Sequence, residues 1–560
     1  MSYDLVIKNA NIVDGSGSQA QRGSVAVAGG KIVALEKALS GGKREIDARG
    51  LTLAPGFIDI HTHFDAQISW DPLLTPTCWH GVTSVLMGNC GVGVAPCRPS
   101  ERSVMAWDLV NVEAMPHDVL LNGVSWEWES FPQYVGAIKR RGAALNVAMM
   151  VPLSALRFYV MGEAAGERTA NAEEIETMTG LLREAIAAGA YGFSLSLAKQ
   201  HIGYRGRPLA SRLASREELG ALARVVRAAG RGVIQVNLPR DQQGLITQGS
   251  YETLEFLARE SRRPVTWTPF AYVTGGPADL GERLQERIRP ALQSGLRIAT
   301  QTACRPVKLF TTLREPFMFA GLPSWQGAFN RSAEEQIALY RSPNFRQAFR
   351  EDLAAGRGTV FRGRWEAVDI ASPKKAENQR FLDKSVPEMA AMVNKDPVDA
   401  ILDLAIDENL ETGFLLAGGN SNLDLLAKAI QLPNVMIGLS DAGAHVDQLC
   451  NAGITTYLLH EWVNKRHVLT LERAVQRLTS EPAAFFGFSS KGRIAAGFDA
   501  DMVLFEPEAV RLCPQERTND LPGGKVRIIE RSEGFACTIV GGEVVFDHNE
   551  HQGVLPGRVI

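Results

Sequence analysis

Apolar and polar positions alternate in two ways along this chain, and the difference divides it. Over the first 54 residues the pattern is short and strand-like. Tyr3–Lys8, Ser24–Ala28 and Lys31–Leu35 alternate weakly, and Gly15, Gly17 and the Gly29-Gly30 pair mark turns. The far end has the same character: Asp501–Phe505, Cys537–Val540 and Glu543–Phe546 read as strands, with Gly541-Gly542 as a hairpin turn. Between these ends, apolar runs of strand length alternate with amphipathic helical stretches. The predicted strands are Phe57–His61, Val82–Met87, Leu145–Val151, Tyr191–Leu197, Gly232–Leu238, Pro264–Thr268, Leu296–Thr302 and Val435–Ser440. The predicted helices are Ala172–Ala188, Ser215–Ala229, Tyr251–Arg259 and Glu282–Ser294.

Eight buried strands with helices between them predict an α/β fold, a parallel (β/α)8 TIM barrel over 55–487. The β-rich ends, 1–54 and 488–560, are expected to assemble one small composite β-sandwich domain. The stretch between Thr302 and Val435 is far too long for a connecting loop. It predicts an insertion between the seventh and eighth strands, roughly 308–400, covering the barrel mouth. Its Phe310, Phe317, Phe319, Trp325, Phe329 and Trp365 either line a substrate pocket or form the insertion's own small core.

Composition narrows the function classes. A chain of 560 residues with 45% hydrophobic content can bury a large core in more than one unit. A net charge of −3 without a long basic run argues against nucleic acid or an anionic membrane as partner. No signal-like N-terminus and no run near ~18 apolar residues are present, so a soluble, cytoplasmic protein is expected. The seven cysteines are scattered without a CxxC motif, which argues against a disulfide framework or a structural zinc knuckle. A small-molecule substrate is the expected partner; a homo-oligomer is left open.

The chemistry concentrates at the strand ends. Residues 55–65 read PGFIDIHTHFD, and positions i and i+2 of a strand share a face, so His61 and His63 can converge on one point. Two converging imidazoles suggest a metal. The second strand ends in MGNCGVG, placing Cys90 at the mouth as a thiolate ligand or a small buried residue. The eighth ends in GLSDAGAH, placing Asp441 as a general base, or else as a helix cap, and His445 beside it as a substrate contact or loop residue. Cys90 acting as a nucleophile with a histidine base is the competing chemistry, but it leaves the histidine pair unexplained.

GFIDIHTHFD, GNCGVGVAP, LSDAGAHVD and KGRIAAGFDADMVLF together resemble the amidohydrolase superfamily, within it the N-acyl-D-amino-acid deacylase (D-aminoacylase) branch, and over nearly the whole chain. The resemblance implies a metal-dependent hydrolase of an amide-type C–N bond. It implies His61, His63 and Cys90 as metal ligands and Asp441 as the catalytic aspartate. The chain then departs from the branch. Histidines expected at the fifth and sixth strand ends are replaced by Asn237 and Thr268, and no histidine lies between His201 and His445. Lys199 comes late for a carbamylated bridge. What survives predicts one divalent ion, zinc by expectation, on His61, His63, Asp441 and Cys90, with a second, weaker site open. His201, His445, Asn237 and Arg305 are the candidate substrate contacts, and Arg205, Arg240 and Arg305 the candidates to grip a carboxylate. Because the site is altered, a neutral amide, carbamate or lactam is the alternative substrate. A catalytically inactive small-molecule binder is the alternative of another class.

Overall fold

The computed structural model describes residues 3–241, 243–273 and 275–560. Its central strands are β1 (Phe57–Asp59), β2 (Val82–Met87), β3 (Asn146–Met149, continued by Val151–Pro152), β4 (Gly192–Ser196), β5 (Val233–Asn237), β6 (Val265–Thr268), β7 (Ile298–Thr302) and β8 (Val435–Ile437). Each pairs in parallel with the next in chain order. Between the last and the first, Thr62 and Ala442 form a parallel bridge. Ser440 Oγ also donates to the His61 carbonyl (3.0 Å), and the His63 N–H to the Ala442 carbonyl (2.7 Å). The result is a TIM-barrel-type α/β domain. Ile58, Ile60, Leu86, Met150, Tyr191 and Phe486 pack together in one buried apolar cluster.

Local chemistry sets the helix starts. Asn171, Ser215 and Thr247 accept backbone N–H bonds from Glu174, Glu218 and Ser250, capping Ala172–Ala188, Arg216–Ala229 and Gln248–Ser261. The third begins three residues before the predicted Tyr251 because Thr247 supplies that cap. Leu280–Gln293 completes the predicted set. β4 opens on Gly192 at φ +109°, where a Cβ would stand 1.8 Å from the Val233 carbonyl oxygen of β5. Gly192→Ala is therefore expected to cost well over ~1 kcal/mol, since left-handed backbone and a clash coincide. A thermal midpoint unchanged from wild type would contradict this.

The insertion carries its own antiparallel sheet, in which Gly413–Gly419 pairs with both Val307–Thr311 and Val368–Ser372. The expected 308–400 boundary is thus short, because the strand that closes this sheet lies beyond residue 400. Phe319, Trp325 and Phe329 fill the insertion's core with Tyr340, Phe349 and Phe361. Phe310, Phe317 and Trp365 are only half-buried. Both chain ends enter one nine-stranded sheet, joined where Thr52–Pro55 pairs antiparallel with Met502–Phe505. Hydrogen bonding runs through that sheet continuously. No helix among the described residues is long and apolar enough to cross a membrane.

Candidate metal centre

β1 ends at Asp59, two residues before its predicted end, and the extended chain that follows carries the bridge from Thr62 to Ala442. That bridge explains the site. It fixes His61 and His63 on either side of Thr62 and brings Asp441, next to Ala442, against both. His61 Nε2 lies 3.3 Å and His63 Nε2 3.7 Å from Asp441 Oδ1. Cys90, in the turn after β2, places its Sγ 3.5 Å from His61 Nε2 and 3.9 Å from His63 Nε2. Cys90, Asp441 and His445 all hold left-handed backbone (φ +59°, +47°, +50°), which non-glycine residues adopt at some cost.

The donor atoms fit a metal ion. His61 Nε2, His63 Nε2 and Cys90 Sγ lie within 4.8 Å of one another, and all three residues are buried. Bonds of about 2.0–2.1 Å to nitrogen and about 2.3 Å to sulfur would set tetrahedral neighbours about 3.3–3.6 Å apart, close to the separations seen. Gln301 Oε1 engages His61 Nδ1 at 2.8 Å, and the Gln301 amide is itself oriented by donating to Thr266 Oγ1. The proton therefore sits on Nδ1, and the Nε2 lone pair faces the cluster.

Electrostatics divide the site. Burial pushes His61 down to about 4. Burial acts the same way on His63, but the carboxylates of Glu113 and Asp441 outweigh it and hold that imidazole up at about 9. Burial works against the Asp441 carboxylate, yet the neighbouring imidazoles of His63 and His61 keep it down at about 2. Cys90 is pushed well up by burial and by the charges of Glu113 and Asp441. That is the reverse of an activated thiolate nucleophile, which needs a positive surrounding.

Residues 44–546 match the amidohydrolase family. The chain belongs to the amidohydrolase family. It is accordingly a hydrolase of C–N bonds other than peptide bonds. This amidohydrolase is 27% identical to the N-acyl-D-aspartate deacylase of Alcaligenes xylosoxydans xylosoxydans, over 100% of this chain and 95% of that one. It is 27% identical to the D-aminoacylase of the same organism, over 100% and 97%. Among solved structures, the N-acyl-D-glutamate deacylase of Bordetella bronchiseptica, complexed with zinc and a phosphonate inhibitor, superposes with a TM-score of 0.69 at 22% identity, covering 100% and 99%.

Within the amidohydrolase barrel, a cavity of about 250 Å³ is lined by His61, Cys90, His201, Asn237, Asp441 and His445, together with Glu113, Arg240 and Thr268. Segments of the insertion, among them Phe361, Leu416 and Asn420, close one side of it. Arg305 is elsewhere. Its guanidinium pairs with Glu530 at 2.6 Å and lies over the Tyr457 ring, so it is not one of the residues lining the cavity. Arg205 and Lys199 also lie outside this lining; Lys199 borders a neighbouring cavity with Arg212 and Arg357.

Three participants escaped the sequence reading. Gln301 orients His61. Gln235 occupies the place between the two missing histidines: its Nε2 donates to Asn237 Oδ1 (2.7 Å) and Thr268 Oγ1 (3.2 Å), while its Oε1 accepts the Cys90 N–H (2.8 Å). Glu113 closes the helix Arg102–Glu113 and points its carboxylate at His63, with Oε2 3.4 Å from Nε2. Its sequence signal was an acid inside an apolar run, LVNVEAM.

Proposed function

We propose that this amidohydrolase is a metal-dependent deacylase of N-acyl amino acids, of the D series by its relatives. The convergence of His61, His63, Cys90 and Asp441 on one buried point carries this reading. Those residues would hold a divalent ion, zinc by analogy with the zinc-complexed deacylase structure. When bound, such an ion lowers the pKa of water and polarises the substrate carbonyl. Asp441 takes the proton from the attacking water and returns it to the leaving nitrogen, keeping a carboxylate ready at neutral pH because its neighbours hold it ionised. His445, whose Nδ1 is engaged by Gln448 at 3.2 Å, keeps Nε2 for the substrate, and His201 and Asn237 shape the same wall. The parallel strand order and the Thr62–Ala442 bridge support a closed (β/α)8 barrel over 55–487. The terminal segments 1–54 and 488–560 form a separate β-sandwich unit in this reading, and the inserted unit runs on to about Gly419.

Arg240 separates the acidic substrate from the neutral amide, carbamate or lactam. Its Nη1 is buried without a hydrogen-bond partner and the residue lines the cavity, which favours a substrate that brings a carboxylate. Retention of the four converging side chains disfavours an inactive binder. The test is a hydrolysis screen of N-acyl-D- and L-amino acids beside neutral amides and carbamates, with and without a chelator. Turnover of the acids should vanish on chelation and return with Zn²⁺. Arg240→Ala should raise their KM about 10- to 100-fold. Activity confined to neutral compounds would remove the deacylase reading, and turnover that survives chelation but not Cys90→Ala would replace it with cysteine chemistry.

A further inference from the structure

We infer that Glu113 is a metal ligand of this site, taking over part of the work of the histidines that β5 and β6 lack. The inference rests on the metal-centre reading above and goes beyond the four residues named there.

Its first support is spacing. Glu113 Oε2 stands 3.4 Å from His63 Nε2, and Asp441 Oδ1 stands 3.3 Å from His61 Nε2. A charge-assisted N–H···O⁻ hydrogen bond closes to about 2.7–2.9 Å. Two ligands held by one ion at about 2.0–2.1 Å in a tetrahedron instead lie about 3.3–3.4 Å apart. Both carboxylates sit at the second distance, and both face the nitrogen that looks into the cluster.

The second support is an unpartnered oxygen on this carboxylate. Glu113 is 2% exposed, and its Oε1 is buried without a hydrogen-bond partner. Of the charged groups that act on it, His63 is the one cation, shared with Asp441, and Asp441 and Asp65 are acids. A buried carboxylate among carboxylates is costly unless a cation balances it. Arginine supplies no further charge here: Arg240, which lines the same cavity, faces Arg362 and Asp241.

The third support is that the backbone presents the side chain. The helix Arg102–Glu113 stops at Ala114, which turns left-handed at φ +49°, and the Glu113 carbonyl accepts the His445 N–H at 2.5 Å. The helix end is thereby tied to the loop that carries Asp441. Across the cavity Asn237 and Thr268 are committed to Gln235. The donor set has moved from the β5–β6 side of the mouth to the helix after β2.

The experiment compares metal-stripped wild type, Glu113→Gln and Glu113→Ala. Zn²⁺ is titrated against a chromophoric chelator, and Co²⁺ absorption is recorded for each protein. Loss of the ligand should weaken Zn²⁺ binding by more than ~100-fold, beyond the 10- to 100-fold typical of an outer-sphere hydrogen-bond partner. It should also alter the cobalt d–d bands while the sulfur-to-cobalt charge-transfer band persists. A smaller loss, or unchanged d–d bands, overturns the inference. Glu113→Gln preserves shape, so it gives the same readout if the alanine variant does not fold; thermal midpoints of the stripped proteins report that directly. A wild type that takes up less than about a tenth of an equivalent of either metal would instead sink the metal-centre reading as a whole.

Discussion

Asp441→Asn is expected to lower kcat per bound metal by about 10²- to 10⁴-fold in protein saturated with Zn²⁺. An asparagine side chain keeps the shape but offers the ion a weaker, neutral oxygen donor, so Zn²⁺ is supplied in excess and activity is expressed per bound metal. Asparagine cannot carry a proton from water to the leaving nitrogen. The measurement is kcat on a responsive substrate, with zinc determined on the same preparation. Turnover within about threefold of wild type, at equal metal, would show that the proton travels by another route. A kcat per bound metal equal to that of the wild type would make Asp441 chiefly a holder of the ion.

The largest expected effect on stability lies far from the chemistry. Arg157, on the helix Leu153–Met161, and Glu218, on the helix Arg216–Ala229, form an ion pair with both side chains fully buried. Arg157 also donates to the Arg168 carbonyl at 2.7 Å. Removing one partner strands the other charge in a dry core, at a cost of about 3–5 kcal/mol. Arg157→Met and Glu218→Leu should each lower the urea midpoint sharply. The double variant should recover most of the loss, because replacing a whole buried pair with apolar groups is often close to neutral. If the single and double variants lose the same stability, the cost comes from packing rather than from the uncompensated charge.

The alternation of strands and helices and the first candidate site residues were readable in the chain because both depend on local periodicity. Strand-length apolar runs are separated by helices of period 3.6, and His61 and His63 are two residues apart. Arg305 shows where that kind of reading stops. Its position after β7 suggests the mouth, but Glu530, distant in sequence, claims the guanidinium. The insertion aromatics behaved likewise: a Phe in sequence does not say which of two cores it joins, and Phe319, Trp325 and Phe329 joined the insertion's own.

From the amino-acid order alone came the alternation of strands and helices, the histidine pair, the candidate acid Asp441 and the missing imidazoles at positions 237 and 268. Only the folded chain decided that Glu113 meets His63 and Gln235 meets Cys90, and that Arg240 rather than Arg305 faces the cavity. The physical reason is range. Patterning is written by neighbours a few residues apart, whereas the contacts that complete this centre join residues separated by tens to hundreds of positions, and a buried charge finds its partner only when the barrel closes.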